Sequence, residues 1–222
     1  MTRWWAFLGA AWLASHAQAG GHFDVDDAGT LDPGQCQYEI WAGHSTRRVV
    51  NFFHLGPACR VGPVELGINY DALRGTDDRL DLLGPQVKWT FFGQSPDAVL
   101  AAALSVGVFH DLRQGGRWGA QWVVPVTWHV SEPFFVHANL GQDWSPGDGA
   151  RTPRAGIAIE WTLNPQFSLI GEYNRAFELT TTRAGLRYSI TPLISVDVSL
   201  ARIGPNGVRA FVVGLNHEFK RP

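Results

Sequence analysis

The stretch VSEPFFVHANLGQDW, residues 130–144, turns abruptly on a proline and then places apolar side chains on every second position. The arrangement returns twice, where Asn164-Pro165 leads into QFSLIGEYN and Thr191-Pro192 leads into LISVDVSL. Period two is that of a β-strand with one apolar and one polar face. Proline suits the start of such a strand because it fixes φ and has no N–H to leave unpaired. A polar–proline turn that recurs before alternating strands marks the hairpins of a meander.

The same period governs most of the chain. Val64, Leu66, Ile68 and Tyr70 oppose Glu65, Gly67, Asn69 and Asp71, and Pro85, Val87, Trp89 and Phe91 oppose Gln86, Lys88 and Thr90. Trp118, Ala120, Trp122, Val124, Val126 and Trp128 stand against Gln121, Pro125, Thr127 and His129. Ile157, Ile159 and Trp161 oppose Arg154, Gly156 and Glu160, while Leu186, Tyr188 and Ile190 oppose Arg183, Gly185 and Arg187. In the last run, Phe211, Val213, Leu215 and Phe219 oppose Asn216 and Glu218. About twelve such runs follow one another, near 35–44, 48–59, 63–73, 79–92, 98–111, 117–130, 133–144, 153–163, 166–176, 180–190, 193–203 and 208–219. Each is close to the length of a tilted strand crossing a bilayer. Pro85 and Pro125 fall inside runs and predict a bulge or a nearer strand end there.

The connections alternate as well. RVGP, GQSP, VSEP, LNP and TP read as tight turns; GHSTRR, RGTDDR, LRQGGR, SPGDGART, RAFEL and IGPNG read as looser loops. Short turns on one side and longer loops on the other are the pattern of an outer-membrane barrel, the short ones periplasmic. Alternation alone also fits a soluble sandwich or barrel; the contrast between the faces decides. The apolar face carries Trp118, Trp128, Phe134, Trp161, Tyr173 and Phe219 near run ends, where interfacial girdles belong. The other face carries Glu39, Glu65, Asp71, Lys88, Glu160, Glu172, Arg183, Arg187 and Asp197. An Arg or Lys turned to lipid costs about 2–4 kcal/mol at the midplane. The expectation is therefore an all-β, antiparallel, up-and-down transmembrane barrel over residues 35–222, apolar outside and polar within.

The start of the chain fits this location. MTRWWAFLGAAWLASHAQA has a basic n-region at Arg3, an apolar run from Trp4 to Ala14 and a small-x-small site at Ala17-Gln18-Ala19, and so reads as a secretory signal over residues 1–19. Its apolar run is about half of what a spanning helix needs. Residues 20–34, GHFDVDDAGTLDPG with its preceding glycine, are acidic and unpatterned, and form either a periplasmic extension or a plug in the lumen. The midpoint between Cys36 and Cys59 falls in the GHSTRR turn. In an exported, oxidising setting a hairpin centred there predicts a cross-strand disulfide between them. Eighteen Lys and Arg against twenty Asp and Glu give no basic stripe for nucleic acid.

These strands, VELGINYD, LLGPQVKWTFF, WVVPVTWHVSEPFFVHANLG, TRAGLRYSITPLISVDVSL and FVVGLNHEF among them, resemble the MetA-pathway of phenol degradation family of bacterial outer-membrane barrels. The likeness runs from about Phe23 to Phe219 and implies a transporter-like protein for small solutes, aromatic or hydrophobic ones among them. The last strand is similar to barrel-assembly signals ending in phenylalanine, which implies the barrel-assembly machinery as a partner beside the lipids, although Lys220-Arg221-Pro222 follow Phe219.

No motif of catalysis stands out. His137 and Asn139 share a face, and Ser131 precedes them, without a serine opposite. His54, His110 and His217 lack metal-ligand spacing, and GPNG and PGDG lack the lysine and helix of a phosphate loop. No metal, cofactor or enzymatic activity is expected, and Glu160 and Glu172 are expected to meet Arg183 and Arg187 in an interior charge network. The path of a passive channel is expected along Glu39, Glu65, Lys88, His137, Glu160, Glu172, Arg183, Arg187 and Asp197; the mixed signs predict little selection by charge. A barrel plugged by its own side chains, structural or adhesive, is the alternative.

Overall fold

The computed structural model describes residues 21–46, 50–75, 79–95, 97–113 and 117–221. The signal sequence expected over residues 1–19 lies outside them. Twelve antiparallel strands are found among the described residues: β1 (Gln35–Ser45), β2 (Val50–Val61), β3 (Val64–Arg74), β4 (Arg79–Phe92), β5 (Leu100–Asp111), β6 (Arg117–Ser131), β7 (Phe134–Trp144), β8 (Arg151–Asn164), β9 (Phe167–Ala176), β10 (Leu179–Thr191), β11 (Ile194–Ile203) and β12 (Val208–Lys220). Each pairs with its neighbours in sequence, and β1 pairs with β12 from Gln35↔Lys220 to Ser45↔Ala210, so the sheet closes with no free edge. Closure is what lets strands span lipid, because every ladder group finds a partner.

The burial of side chains is the reverse of a soluble core. Leu200, Leu140, Ile68, Ile159 and Ile157 stand fully out on the wall, whereas His137, Asp143 and Asp197 are wholly buried inside. Outward aromatics gather toward the strand ends: Trp128, Phe134 and Trp161 at one rim, with the last two stacked at 5.6 Å, and Trp118 and Tyr173 toward the other. An arginine in the apolar belt tests this orientation. Leu200→Arg is expected to lower the unfolding free energy by about 2–4 kcal/mol in detergent or lipid, and Ser199→Thr, on the inner face, by less than about 1 kcal/mol. Equal losses, measured by denaturant titration, would reverse the assignment of faces.

The connections divide by length with two exchanges. Gly62-Pro63, Glu132-Pro133, Pro165-Gln166 and Pro192-Leu193 are two-residue turns at the periplasmic end. GQSP does not close a tight turn; β4 and β5 are joined by residues 93–99. RAFEL is not a loose loop: Phe177 and Glu178 alone join β9 to β10, at φ 48° and 64°. Two left-handed residues match the twist of the strands in such a hairpin, and glycine or asparagine would adopt them more easily. Here tertiary contacts hold them. The Phe177 N–H donates to Asp143 Oδ2 at 2.9 Å, and the Phe177 ring meets Phe109 edge-on at 6.0 Å.

Pro85 and Pro125 end no strand. The β4–β5 register passes from Leu83↔His110 to Gln86↔Gly107, and the β5–β6 register from Ala102↔Val126 to Ser105↔Val123. Each proline thus sits where the ladder skips a step, its other edge paired normally with Ile68 or Asn139. Pro57 does the same between β2 and β3, where Leu55↔Tyr70 gives way to Ala58↔Gly67. Cys36 and Cys59 are register partners on β1 and β2 and form a disulfide at the periplasmic end.

Candidate functional site

Of the nine residues expected along the path, Glu39, Glu65, Lys88, Glu160 and Arg187 line the interior cavity, whereas His137, Glu172, Arg183 and Asp197 are buried outside its lining; most of the nine are engaged by one element. The segment 21–34 lies inside the barrel, with Phe23, Val25, Ala28 and Leu31 buried. It has no regular structure, so its backbone donors need partners from the wall. Glu172 on β9 accepts the N–H groups of Asp24 (3.1 Å) and Val25 (2.9 Å). Glu39 on β1 accepts from Gly21 (3.0 Å), Glu65 on β3 from Leu31 (3.1 Å), and Thr127 on β6 from Ala28 (2.9 Å). The Thr90 hydroxyl on β4 donates to the Ala28 carbonyl at 2.7 Å.

Charge fixes the same segment. Lys88 Nζ lies 2.8 Å from Asp26 Oδ1 and 3.6 Å from Asp27 Oδ1. Arg183 joins Asp24 at 3.1 Å and Glu172 at 3.3 Å, and Arg187 joins Asp197 at 2.8 Å. At its tip, His22 Nε2 is 2.7 Å from Ser199 Oγ and Nδ1 is 3.7 Å from Asp197. Burial pushes the His22 imidazole down to about 3, against the raising effect of Asp197. Space was made as well as charge. A side chain added at Gly156, Gly185 or Gly214, on β8, β10 and β12, would run into Val25, Phe23 and His22.

Glu160 and Glu172 therefore part company. Glu172 serves the segment and Arg183, whereas Glu160 Oε2 faces His137 Nε2 at 3.8 Å. His137 Nδ1 in turn lies 3.0 Å from the Thr127 hydroxyl. Above this level, toward the outer end, Arg154 pairs with Asp143 at 2.8 Å, and His54 with Asp71 at 2.7 Å beneath a parallel Trp41 ring 4.8 Å away. Sequence reading left residues 20–34 open between periplasm and lumen, and did not single out Asp24, Asp26, Asp27, Arg154 or Asp143 as site residues. Its available signal was complementarity: an acidic unpatterned stretch beside a barrel whose polar face carries Lys88, Arg183 and Arg187.

The segment is fastened around the wall, by Glu39, Glu65, Lys88 and Thr90 on β1–β4 and by Thr127, Glu172, Arg183 and Ser199 on β6–β11, and leaves room beside it. A cavity of about 1200 Å³ runs beside it; Gly56, Ala58, Gly67 and Gly107 on β2–β5 project little into it, and Gln121, Glu160 and Asn216 line it from the other strands. Its lining extends from Pro165 and Pro192 at the periplasmic turns to Phe177 at the outer hairpin.

A closed twelve-stranded barrel with an apolar exterior, a charged interior and an occupied lumen is an outer-membrane protein. The chain belongs to the family described as uncharacterised conserved protein UCP029691, whose model matches residues 8–216. This is not the phenol-degradation family that the strands resemble; the outer-membrane barrel is what the two assignments share. No curated protein matches the chain. Among solved structures it is similar to the KdgM porin, with a TM-score of 0.64 at 9% identity over 82% of this chain and 99% of that one. It is also similar to the COG4313 outer membrane channel from Pseudomonas putida F1, with a TM-score of 0.57 at 13% identity over 87% and 98%.

One expectation has to be corrected. Outer membrane phospholipase A from Escherichia coli shares the barrel, with a TM-score of 0.53 at 13% identity over 86% of this chain and 98% of that one. A barrel of this form is found in an enzyme as well as in channels, and the exclusion of catalysis does not stand. That exclusion rested on the absence of a serine opposite the inward His137 and Asn139, of metal-ligand spacing and of a phosphate loop; His137 and Asn139 are indeed buried in the lumen. The outer wall carries a different pair, His44 Nδ1 at 2.8 Å from Asn51 Oδ1.

Proposed function

We propose that the chain is a passive channel for small solutes, its bore narrowed by the lumenal segment 21–34. The single observation that carries this reading is the cavity that continues past the segment from the periplasmic turns to the outer hairpin. A wall that only filled itself would leave no such space. The narrower expectation of hydrophobic or aromatic solutes draws on the phenol-degradation resemblance and on Trp41, Phe109 and Phe177, which line the outer half. The carboxylates and amides on the same wall, Glu39, Asn69 and Gln86 among them, favour polar solutes at least as strongly.

Planar bilayers test the reading. Folded protein is expected to give discrete conductance steps that vary with salt concentration, without any energy source. Protein shown to be folded by its heat-dependent migration on gels, yet silent at every voltage, is the plugged structural barrel instead.

A further inference from the structure

The charges around the cavity do not cancel. We propose that the channel prefers cations, both inorganic ions and small amines, over anions; the proposal rests on the channel reading above. Eight carboxylate side chains but only four lysines and arginines line the cavity. Three of those four cations are held by carboxylates: Lys88 by Asp26, Arg154 by Asp143 and Arg187 by Asp197, each at 2.8 Å. Asp143 and Asp197 stand behind the lining, so the positive ends of those pairs are offset from outside it. The fourth, Arg60, is the register partner of Glu65.

Three further carboxylates of the lining are placed differently. Glu39, Glu65 and Asp71 face the cavity around a floor of Gly56, Ala58 and Gly67. Among the described residues none of the three has a lysine or arginine within ion-pair distance. Their hydrogen bonds come from the Gly21 and Leu31 N–H groups and the His54 ring. A second, independent observation points the same way. Glu160 lines the cavity and is only 2% exposed, yet its Oε2 accepts no hydrogen bond, the facing His137 Nε2 standing beyond reach at 3.8 Å. A buried acceptor left without a donor favours a cationic or donor-bearing ligand passing within reach.

Low-dielectric walls concentrate the field of such a lining, and acidic side chains around a pore admit cations. Lys88 is thus spent on the segment, and Arg154 and Arg187 on wall carboxylates, which leaves acidic side chains in excess along the cavity. Mixed composition gave no sign of this, because the signs separate only once the pairs are known.

Reversal potentials across a KCl gradient, measured on the full mature chain in neutral bilayers, decide the matter. Potassium is expected to permeate at least about three times as readily as chloride, and the triple variant E39Q/E65Q/D71N to bring the ratio within about 1.5-fold of unity. These substitutions keep an acceptor at each position, so the segment retains its hydrogen bonds. Spermidine added to one side is expected to reduce the potassium current of the wild type more than that of the variant. A conducting wild type with a ratio of one or less overturns the proposal and leaves the channel reading intact. A ratio unmoved in the folded variant removes the assignment to these three residues. Folded protein without any current overturns the channel reading itself.

Discussion

Deletion of residues 21–33 is expected to raise single-channel conductance by roughly threefold or more while the barrel still folds. The wall of a barrel with more than about eight strands no longer fills its own interior with side chains. In this twelve-stranded barrel, the buried Phe23, Val25, Ala28 and Leu31 occupy that space. Removing them joins their volume to the existing cavity. The ladder that closes the barrel does not depend on them, since β1 and β12 are paired along the whole of β1, from Gln35 to Ser45. Lys88, Glu172 and Arg183 lose partners, but water enters the emptied lumen and solvates them, so the desolvation cost of an orphaned charge is avoided. Conductance in planar bilayers, with heat-dependent gel migration as the check on folding, measures the effect. A deletion variant that folds and conducts no better than the full chain would show that the segment is not what narrows the bore.

The strands could be read from sequence because their signal is local. An alternation of apolar and polar side chains is complete within one strand, and the expected runs lie within two residues of the observed bounds at each end. The inward face was legible for the same reason: Glu39, Glu65, Lys88 and the six others needed only their parity. Their partners were not. The N–H groups of Asp24 and Val25 reach Glu172 across 148 and 147 residues, and no periodicity records such a meeting. The β9–β10 turn was misjudged for a related reason. Ala-Phe-Glu-Leu carries none of the residues that favour positive φ, and it is Asp143 and Phe109, from other strands, that hold Phe177 there. The space left beside the segment depends on where it fastens, and therefore on those same distant pairs.

Lys88→Met is expected to release the segment rather than merely loosen it. The Lys88 side chain is 9% exposed, and its ammonium stands between Asp26 at 2.8 Å and Asp27 at 3.6 Å. Methionine keeps most of the volume and removes the charge, leaving two neighbouring carboxylates with no cation between them. Breaking a buried pair from one side typically costs about 3–5 kcal/mol, because the remaining charge is desolvated without compensation. Two outcomes could relieve that cost: protonation of an aspartate in place, or withdrawal of the segment into water. Withdrawal is favoured, since the segment is anchored at separate points and has no strand register to lose. The variant should then conduct like the deletion, and a protease supplied on the periplasmic side should cut between residues 21 and 34. Restoring balance distinguishes this from a general defect: Lys88→Met combined with Asp26→Asn and Asp27→Asn should recover much of the wild-type conductance and resistance to the protease. If Lys88→Met alone left conductance and cleavage unchanged in folded protein, the buried charges would have no part in holding the segment. The hydrogen bonds to Glu172, Thr127 and Glu65 would then carry its attachment.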